Sequence, residues 1–364
     1  MQSRELNRFR RYQHMMMYGG AATATAVVIA AFVINAISTV SAYTARESEL
    51  LSLDVRPVID FTVRAEATLR SNVQSLELAW NAGGAAPPDT VARFSRDRNL
   101  LRVQQTPDVL QILVAGASPS NPPAPAAGRF IRLSETMAGP STVIAARNGG
   151  ELTAYLYSTD RSLMLLTASP WPSDVRWATL LANRSTLFDA LAGPQGKPLL
   201  PADAPLRKPG TTWPAVHWLP AYDSPLAGQR RVRVAAAMLD SQRKPFGVVV
   251  VERSVEALTA SLDAASLNGS LLLLARDGTV IASRSRHPVD NRTIAAAREA
   301  LADGIGTARQ RANTTDYRLA GWQIGDTGWT LVHVESWLGV ATELRGPLLT
   351  SLATTSAIRS ATPA

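Results

Sequence analysis

Residues 18–43 read YGGAATATAVVIAAFVINAISTVSAY and carry no charged side chain. About 20 apolar residues cross the hydrocarbon core of a bilayer as a helix, so this run predicts a transmembrane helix. Tyr18 and Tyr43 stand at its ends, where an amphipathic ring suits the headgroup level. The apolar period then changes. Leu51, Val55, Val58, Ala65, Leu69, Val73, Leu76 and Trp80 recur close to three- and four-residue steps, which predicts a long stalk helix with one apolar stripe. Pro57 should kink this helix or mark its start, and NAGGAAPP, residues 81–88, should end it.

From residue 109 the pattern shortens. VLQILVAG, RFIRLS, STVIAARN, ELTAYLYS and SLMLLTAS are β-rich runs broken by Gly, Pro, Ser or Asp, and they predict antiparallel strands. SPSNPPAPAAG, residues 118–128, predicts a surface loop. A helix is expected over Trp177–Leu191, then a long Gly/Pro-rich connection over 193–215, a length that usually carries function or disorder. RRVRVAAAML and FGVVVVERS predict two more strands, and Val255–Leu267 returns to helix. SLLLLA and TVIASR flank Arg-Asp-Gly, a hairpin signal in which Gly278 takes a positive φ. A helix at Asn291–Ala302 and the strands DYRLAGWQI and GWTLVHVES complete a second unit.

The expected fold class is therefore α+β, with an N-terminal transmembrane helix and stalk helix followed by two antiparallel-sheet units. The expected boundaries are a basic N-terminus (1–17), the span (18–43), the stalk (44–88), a larger sheet unit (89–253), a smaller one (254–337) and a tail (338–364). Arg345 and Arg359 interrupt the tail, so it does not read as a second clean span.

Charge sets the topology. Arg4, Arg8, Arg10 and Arg11 precede the span with only Glu5 against them, which holds that end in the cytoplasm and places the main domain in the periplasm, on a bacterial inner membrane. Val40-Ser41-Ala42 resembles a signal-peptide cleavage site, but the apolar region is longer than a signal-peptide core and favours a retained anchor. The formal net charge of +8 comes from arginines scattered among acids. Nucleic-acid binding calls for clustered basic residues with interleaved aromatics, and none is expected. The chain has no cysteine, which excludes a disulfide framework and Cys-based zinc sites.

Catalytic patterns are missing. His14, His217, His287 and His333 are dispersed, and the sequence holds no His-Glu-x-x-His, Gly-x-Ser-x-Gly or P-loop. Asp303-Gly-Ile-Gly306 lacks the third glycine of a nucleotide fingerprint. No cofactor, metal or enzymatic activity is expected, and no kinase, cyclase or chemoreceptor output motif lies in these residues.

One stretch does point to chemistry. In GVVVVERSVEAL, residues 247–258, four valines end on Glu252 and Arg253. The preceding text from Trp218, WLPAYDSPLAGQRRVRVAAAMLDSQRKPF, together with ARDGTVIAS and GDTGWTLVHVE, resembles the double Cache extracytoplasmic sensor domains of bacterial chemoreceptors, sensor histidine kinases and diguanylate cyclases. The resemblance covers the layout of residues 46–337 and the wording of about 218–334. It implies two PAS-like units and a small-molecule sensor of a signal-transduction receptor, of sensor-kinase type. It places Tyr222 as a pocket tyrosine and Glu252 as the acid at the strand end. Asp223 lies near the second pocket acid but is offset by one, since the family spacing Y-x-D falls on Ser224. The family's Arg-x-Trp-Tyr element is missing at its usual distance before Tyr222, with Arg176-Trp177 too far upstream.

The expected ligand-binding residues are thus Tyr222, Asp223 and Glu252, with Trp218 and Trp213 as walls, and the ligand is a cationic or neutral small molecule. Trp171, Tyr155 and Tyr157 are neighbouring aromatics, while Trp322 and Trp329 read as core. An alternative for Glu252 is the solvated end of a strand, favourable beside a helix N-terminus. The expected partners are membrane lipid along 18–43 and a second copy through the stalk helix. A membrane-anchored scaffold binding a periplasmic protein, and a periplasmic hydrolase, are the competing classes.

The native absence of cysteine makes topology directly testable. A single cysteine placed within 193–215 should react with a membrane-impermeant maleimide on spheroplasts, and one at Ser3 should not. The reverse pattern would reject this orientation.

Overall fold

The computed structural model describes residues 2–103, 110–119, 126–147, 152–169, 174–194, 197–201, 203–260, 262, 269–285, 289–302 and 310–360. It opens with α1 (Gln2–Asn81), a single helix of 80 residues that runs through Pro57. Pro57 removes one backbone hydrogen bond, yet the helix continues because Leu51, Val55 and Val58 on both sides of it are packed into one core. Residues 11–31 are exposed throughout, as are Ile34 and Ile37 further on. Among the described residues this is the one helix long and apolar enough to cross a membrane, with a mean hydropathy of 2.0 over its best 18-residue window.

Two antiparallel sheets follow, so the chain is α+β. The first is built from β1 (Leu100–Val103), β2 (Ile112–Gly116), β3 (Leu152–Ser158), β4 (Leu163–Ser169), β5 (His217–Asp223), β6 (Arg230–Leu239) and β7 (Pro245–Ser254), in the order β1-β2-β4-β3-β7-β6-β5. Helices α2 (Pro88–Arg96), α3 (Ala127–Arg147), α4 (Asp174–Ala182) and α5 (Arg184–Ala192) accompany it. A short helix α6 (Val255–Ala260) leads to the second sheet. That sheet holds β8 (Ser270–Leu274), β9 (Val280–Ser285), β10 (Gln310–Asn313), β11 (Tyr317–Ile324) and β12 (Trp329–Ser336), ordered β10-β11-β12-β8-β9, with helix α7 (Asn291–Ala302). Helix α8 (Trp337–Ser360) starts at the residue after β12.

Two expected strands are wrong. RFIRLS lies inside α3, as does STVIAARN up to Arg147, its last residue, Asn148, being outside the described residues. Its buried residues Phe130, Ile131, Leu133, Met137, Ala138 and Ala145 recur at helical intervals. A six-residue window cannot separate that pattern from a buried strand, and Pro140 sits within the helix where it had read as a break. The helix expected to Leu267 is described only to Ala260, and residues 263–267 lie outside the described residues, as do 303–306. The β8–β9 turn is as expected, with Gly278 at φ +77°.

The first sheet is buried on both faces. Leu69, Val73, Leu76 and Trp80 of α1, with Phe130 and Ile131 of α3, cover Leu156, Val234, Val249 and Val251. Trp177, Leu187, Phe188 and Leu191 of α4 and α5 cover Tyr155, Tyr157, Ala235, Val248 and Val250. A strand buried on both sides has no reason to alternate, which accounts for VVVV in β7. The second sheet packs Leu271, Leu273, Trp329 and Leu331 on Leu51, Val55 and Val58, and turns Leu272, Leu274 and Val332 toward α7. All eight residues of the predicted α1 stripe are thereby buried within one chain. The stripe gives no reason for a second copy, since the two sheets together are long enough to cover it.

A buried polar cluster closes the junction of α1, the second sheet and α8. Glu47 accepts from Arg318 Nη2 at 2.5 Å and meets His333 Nδ1 at 3.0 Å. The Tyr43 hydroxyl donates to Glu335 at 2.5 Å. Removing one partner of a buried ion pair strands the other without water. Glu47→Ala should therefore lower unfolding stability by about 3 kcal/mol, measured by urea denaturation of the detergent-solubilised protein. A loss below about 1 kcal/mol, the worth of an exposed pair, would show that Arg318 and His333 find water readily.

Candidate ligand-binding site

β7 runs between β3 and β6, and the register sets Glu252 opposite Thr153 on one side and Arg233 on the other. Directly opposed residues share a face of the sheet. Glu252 and Arg233 therefore point to the α4–α5 face, where Arg233 Nη1 donates to the Ala190 carbonyl of α5 at 3.4 Å. Arg253 points the other way, and its guanidinium lies 5.3 Å from the Phe61 ring of α1. The two adjacent charges at the end of the valine run thus serve opposite faces. Glu252 is 2 % exposed, so it is no solvated strand end.

The edge strand β5 brings a tyrosine to this acid. Its pairing with β6 shifts register between Leu219 and Tyr222. Leu219 sits opposite Arg233 and Tyr222 opposite Arg231, so both fall on the α4–α5 face although three residues apart. Such a bulge bends a strand and re-aims its side chains. The Tyr222 hydroxyl donates to Glu252 Oε1. Ser224, buried just beyond the strand, donates to Glu252 Oε2 at 2.6 Å. The Arg233 guanidinium lies 3.7 Å from the centre of the Tyr222 ring, a cation–π contact. Behind it stands Tyr155 of β3, fully buried.

Burial dominates the electrostatics. It raises the Glu252 carboxyl above its ordinary range, while the hydrogen bonds from Ser224 and Tyr222 and the charges of Arg231 and Arg233 pull it back. Burial also raises the Tyr155 and Tyr222 hydroxyls, so both stay protonated. Arg233 Nε is buried with no hydrogen-bond partner among the described residues, and the Tyr155 hydroxyl interacts with both Arg233 and Tyr222.

Of the expected site residues, the structure joins Tyr222 and Glu252. Asp223 is exposed, because it alternates with Tyr222 to the other side of the strand; Ser224 takes the inward place. Trp218 is not a wall of this site. A four-residue spacing would put it on the face of Tyr222 in a regular strand, but the bulge sends the two rings to opposite faces. Trp213 is 48 % exposed, held by a local turn in which Lys208 N donates to its carbonyl, and it walls nothing. Trp171 lies outside the described residues. Sequence reasoning missed Arg233, and with it an arginine beside the acid. The signal was present in RRVRV, where Arg231 and Arg233 share a face two residues apart.

No family model matches the chain, and no curated protein matches it. Among solved structures it is similar to the sensory domain of the Campylobacter jejuni chemoreceptor Tlp3 with isoleucine bound, at 13 % identity and a TM-score of 0.44, covering 84 % of this chain and 96 % of that one. It is also similar to the ligand-binding domain of the Pseudomonas fluorescens chemoreceptor CtaA with L-leucine, at 16 % identity and a TM-score of 0.33, covering 59 % and 79 %. Both are sensory domains of chemoreceptors.

The raised carboxyl has a stability consequence. A folded-state pKa above the unfolded one means that the native state holds its proton longer, so stability falls as pH rises from the unfolded value through the folded one. Glu252→Gln lacks this proton. The melting temperature of Glu252→Gln minus that of the wild type should therefore be more positive at pH 8 than at pH 4.5. A difference constant across that window would mean that Glu252 titrates as it does in the unfolded chain.

Proposed function

We propose that the chain is the membrane-anchored, extracytoplasmic sensor region of a bacterial signal-transduction receptor, of sensor-kinase type, which binds a small solute at Glu252 in the larger sheet unit. One observation carries this reading. A buried carboxylate is flanked by Tyr222, Ser224 and Arg233, with the Tyr155 hydroxyl interacting with Arg233 and Tyr222 behind them, while Arg233 Nε has no hydrogen-bond partner among the described residues. A buried polar atom without a partner costs about 1–3 kcal/mol, and a solute that accepts from Arg233 recovers it. With Arg233 opposite Glu252, a bare cation is disfavoured. The fitting solute is neutral or zwitterionic, with a donor for Glu252 and an acceptor for Arg233.

In this reading residues 18–43 span the inner membrane, the arginines before them stay in the cytoplasm, and both sheets lie in the periplasm. The span's exposed Val27, Ile34 and Ile37 face lipid. Two copies pair along the side of α1 away from its own sheets, where Leu53, Val63 and Leu78 are exposed and fall in one sector of the helix. Binding can shift a receptor only by its difference in affinity for two states. The output resides outside these residues.

The test is a calorimetric screen of small polar solutes against the detergent-solubilised chain. A binder should lose about 1–3 kcal/mol of affinity on Glu252→Gln, the worth of a charged hydrogen bond, with folding preserved. An unchanged affinity in both Glu252→Gln and Tyr222→Phe would place the site elsewhere. Capture of a periplasmic protein with no solute binding would favour the scaffold.

A further inference from the structure

Trp218 is the residue that touches everything except the site it was expected to wall. It lies on the α1 face of β5, four positions before Tyr222. Its Nε1 donates to Glu66 Oε1 of α1 at 3.0 Å. Its ring stands edge-on to Trp329 of the second sheet, with centroids 4.5 Å apart, and 6.5 Å from Phe61 of α1. It packs against the α1–α3 core of the first sheet and also against the core that α1 shares with the second sheet. Ala221, across the bulge, joins the second of these cores.

We propose that Trp218 is a coupling residue, which converts movement of Tyr222 at the Glu252 site into movement of Trp329 and α1. This inference rests on the reading of Glu252 as the binding group. Three features support it. β5 is an edge strand paired only with β6, so it has one neighbour to hold it. The register shift between Leu219 and Tyr222 leaves the segment joining the two rings outside the regular ladder. Glu252 is covered by Tyr222 and Ser224, so a solute that reaches the carboxylate must displace one of them, and both belong to β5 or the turn after it. Displacing that segment tilts the strand about the bulge, and the Trp218 ring at its other end is wedged between α1 and β12. A second contact between the units, Arg230 Nη2 to the Val280 carbonyl at 3.3 Å, leaves from β6 and does not involve β5.

The experiment needs no ligand, so it fails or succeeds independently of the solute screen. Hydrogen exchange would be followed by mass spectrometry on the full chain in nanodiscs. Tyr222→Phe removes the hydroxyl on Glu252 and keeps the ring. It should speed exchange by about three-fold or more in β5 and also in β12 (329–336) and around Glu66 of α1, as expected for a loosened cooperative unit. In a Trp218→Leu background the same Tyr222→Phe change should stay within β5–β7. Trp218→Phe, which keeps an edge-on ring but loses the Glu66 bond, should restore transfer to β12, and it replaces Trp218→Leu as the background variant if that protein does not fold, with transfer to Glu66 then the signal lost. A merely structural Trp218 would lower overall protection yet leave the transfer intact. Transfer to β12 that persists in Trp218→Leu, or a Tyr222→Phe effect that never leaves the first sheet, overturns the proposal.

Discussion

A single face of α1 holds both sheets. Leu51, Val55 and Val58 lie in the core of the second sheet, and Leu69, Val73, Leu76 and Trp80 in that of the first. α3 covers part of the first sheet on that side, but among the described helices only α1 contributes to both cores. Hydrophobic burial is non-directional and scales with area, so the stripe alone would permit some sliding of the sheets along the helix. Polar contacts fix the position. Glu66 receives Trp218, Glu77 receives both Arg207 and the Leu239 amide at 2.7 Å, and Glu47 receives Arg318. Three acids on the helix thus index the strands that the apolar stripe merely attracts.

Against that apolar background Glu252 is the exception that calls for explanation. β7 is buried on both faces up to Val251, and a carboxylate there loses its water. The protein answers with two hydroxyls and a cross-strand arginine. Tyr222, Ser224 and Arg233 reach it from sequence positions up to 30 residues away, which only the β5–β6–β7 meander brings together. A polar group placed so far inside a valine-rich strand is held by cooperation among three segments, and a change in any one of them alters the setting of the others.

Much of the fold was legible because its signals are local. The apolar span, the α1 stripe, the Arg-Asp-Gly hairpin and the valine-rich strand each follow from residues within one element. α3 was misread because its apolar positions, sampled six at a time, look like buried strand. At the site, Tyr222 and Glu252 came from resemblance. The loss of Trp218 from the site turns on the bulge between Leu219 and Tyr222, and the arrival of Arg233 on its register opposite Glu252, both properties of pairing between strands that neither strand states alone. The exchange of Asp223 for Ser224 was legible, since alternation puts the residue two after Tyr222 on its face.

The join between β12 and α8 has a mechanical meaning. Strand ends at Ser336 and helix begins at Trp337 with no residue between them. Trp337 is clamped as well, its amide on the Asp316 carbonyl at 3.1 Å and its indole on that of Thr314 at 3.0 Å. A flexible tether would absorb small displacements as slack. Here there is none, so a displacement of β12 reaches the first turn of α8 undiminished, and α8 carries it to the stretch of α1 that it packs against, where Glu343, Leu344 and Pro347 face Thr39, Ala42 and Tyr43 across one cavity.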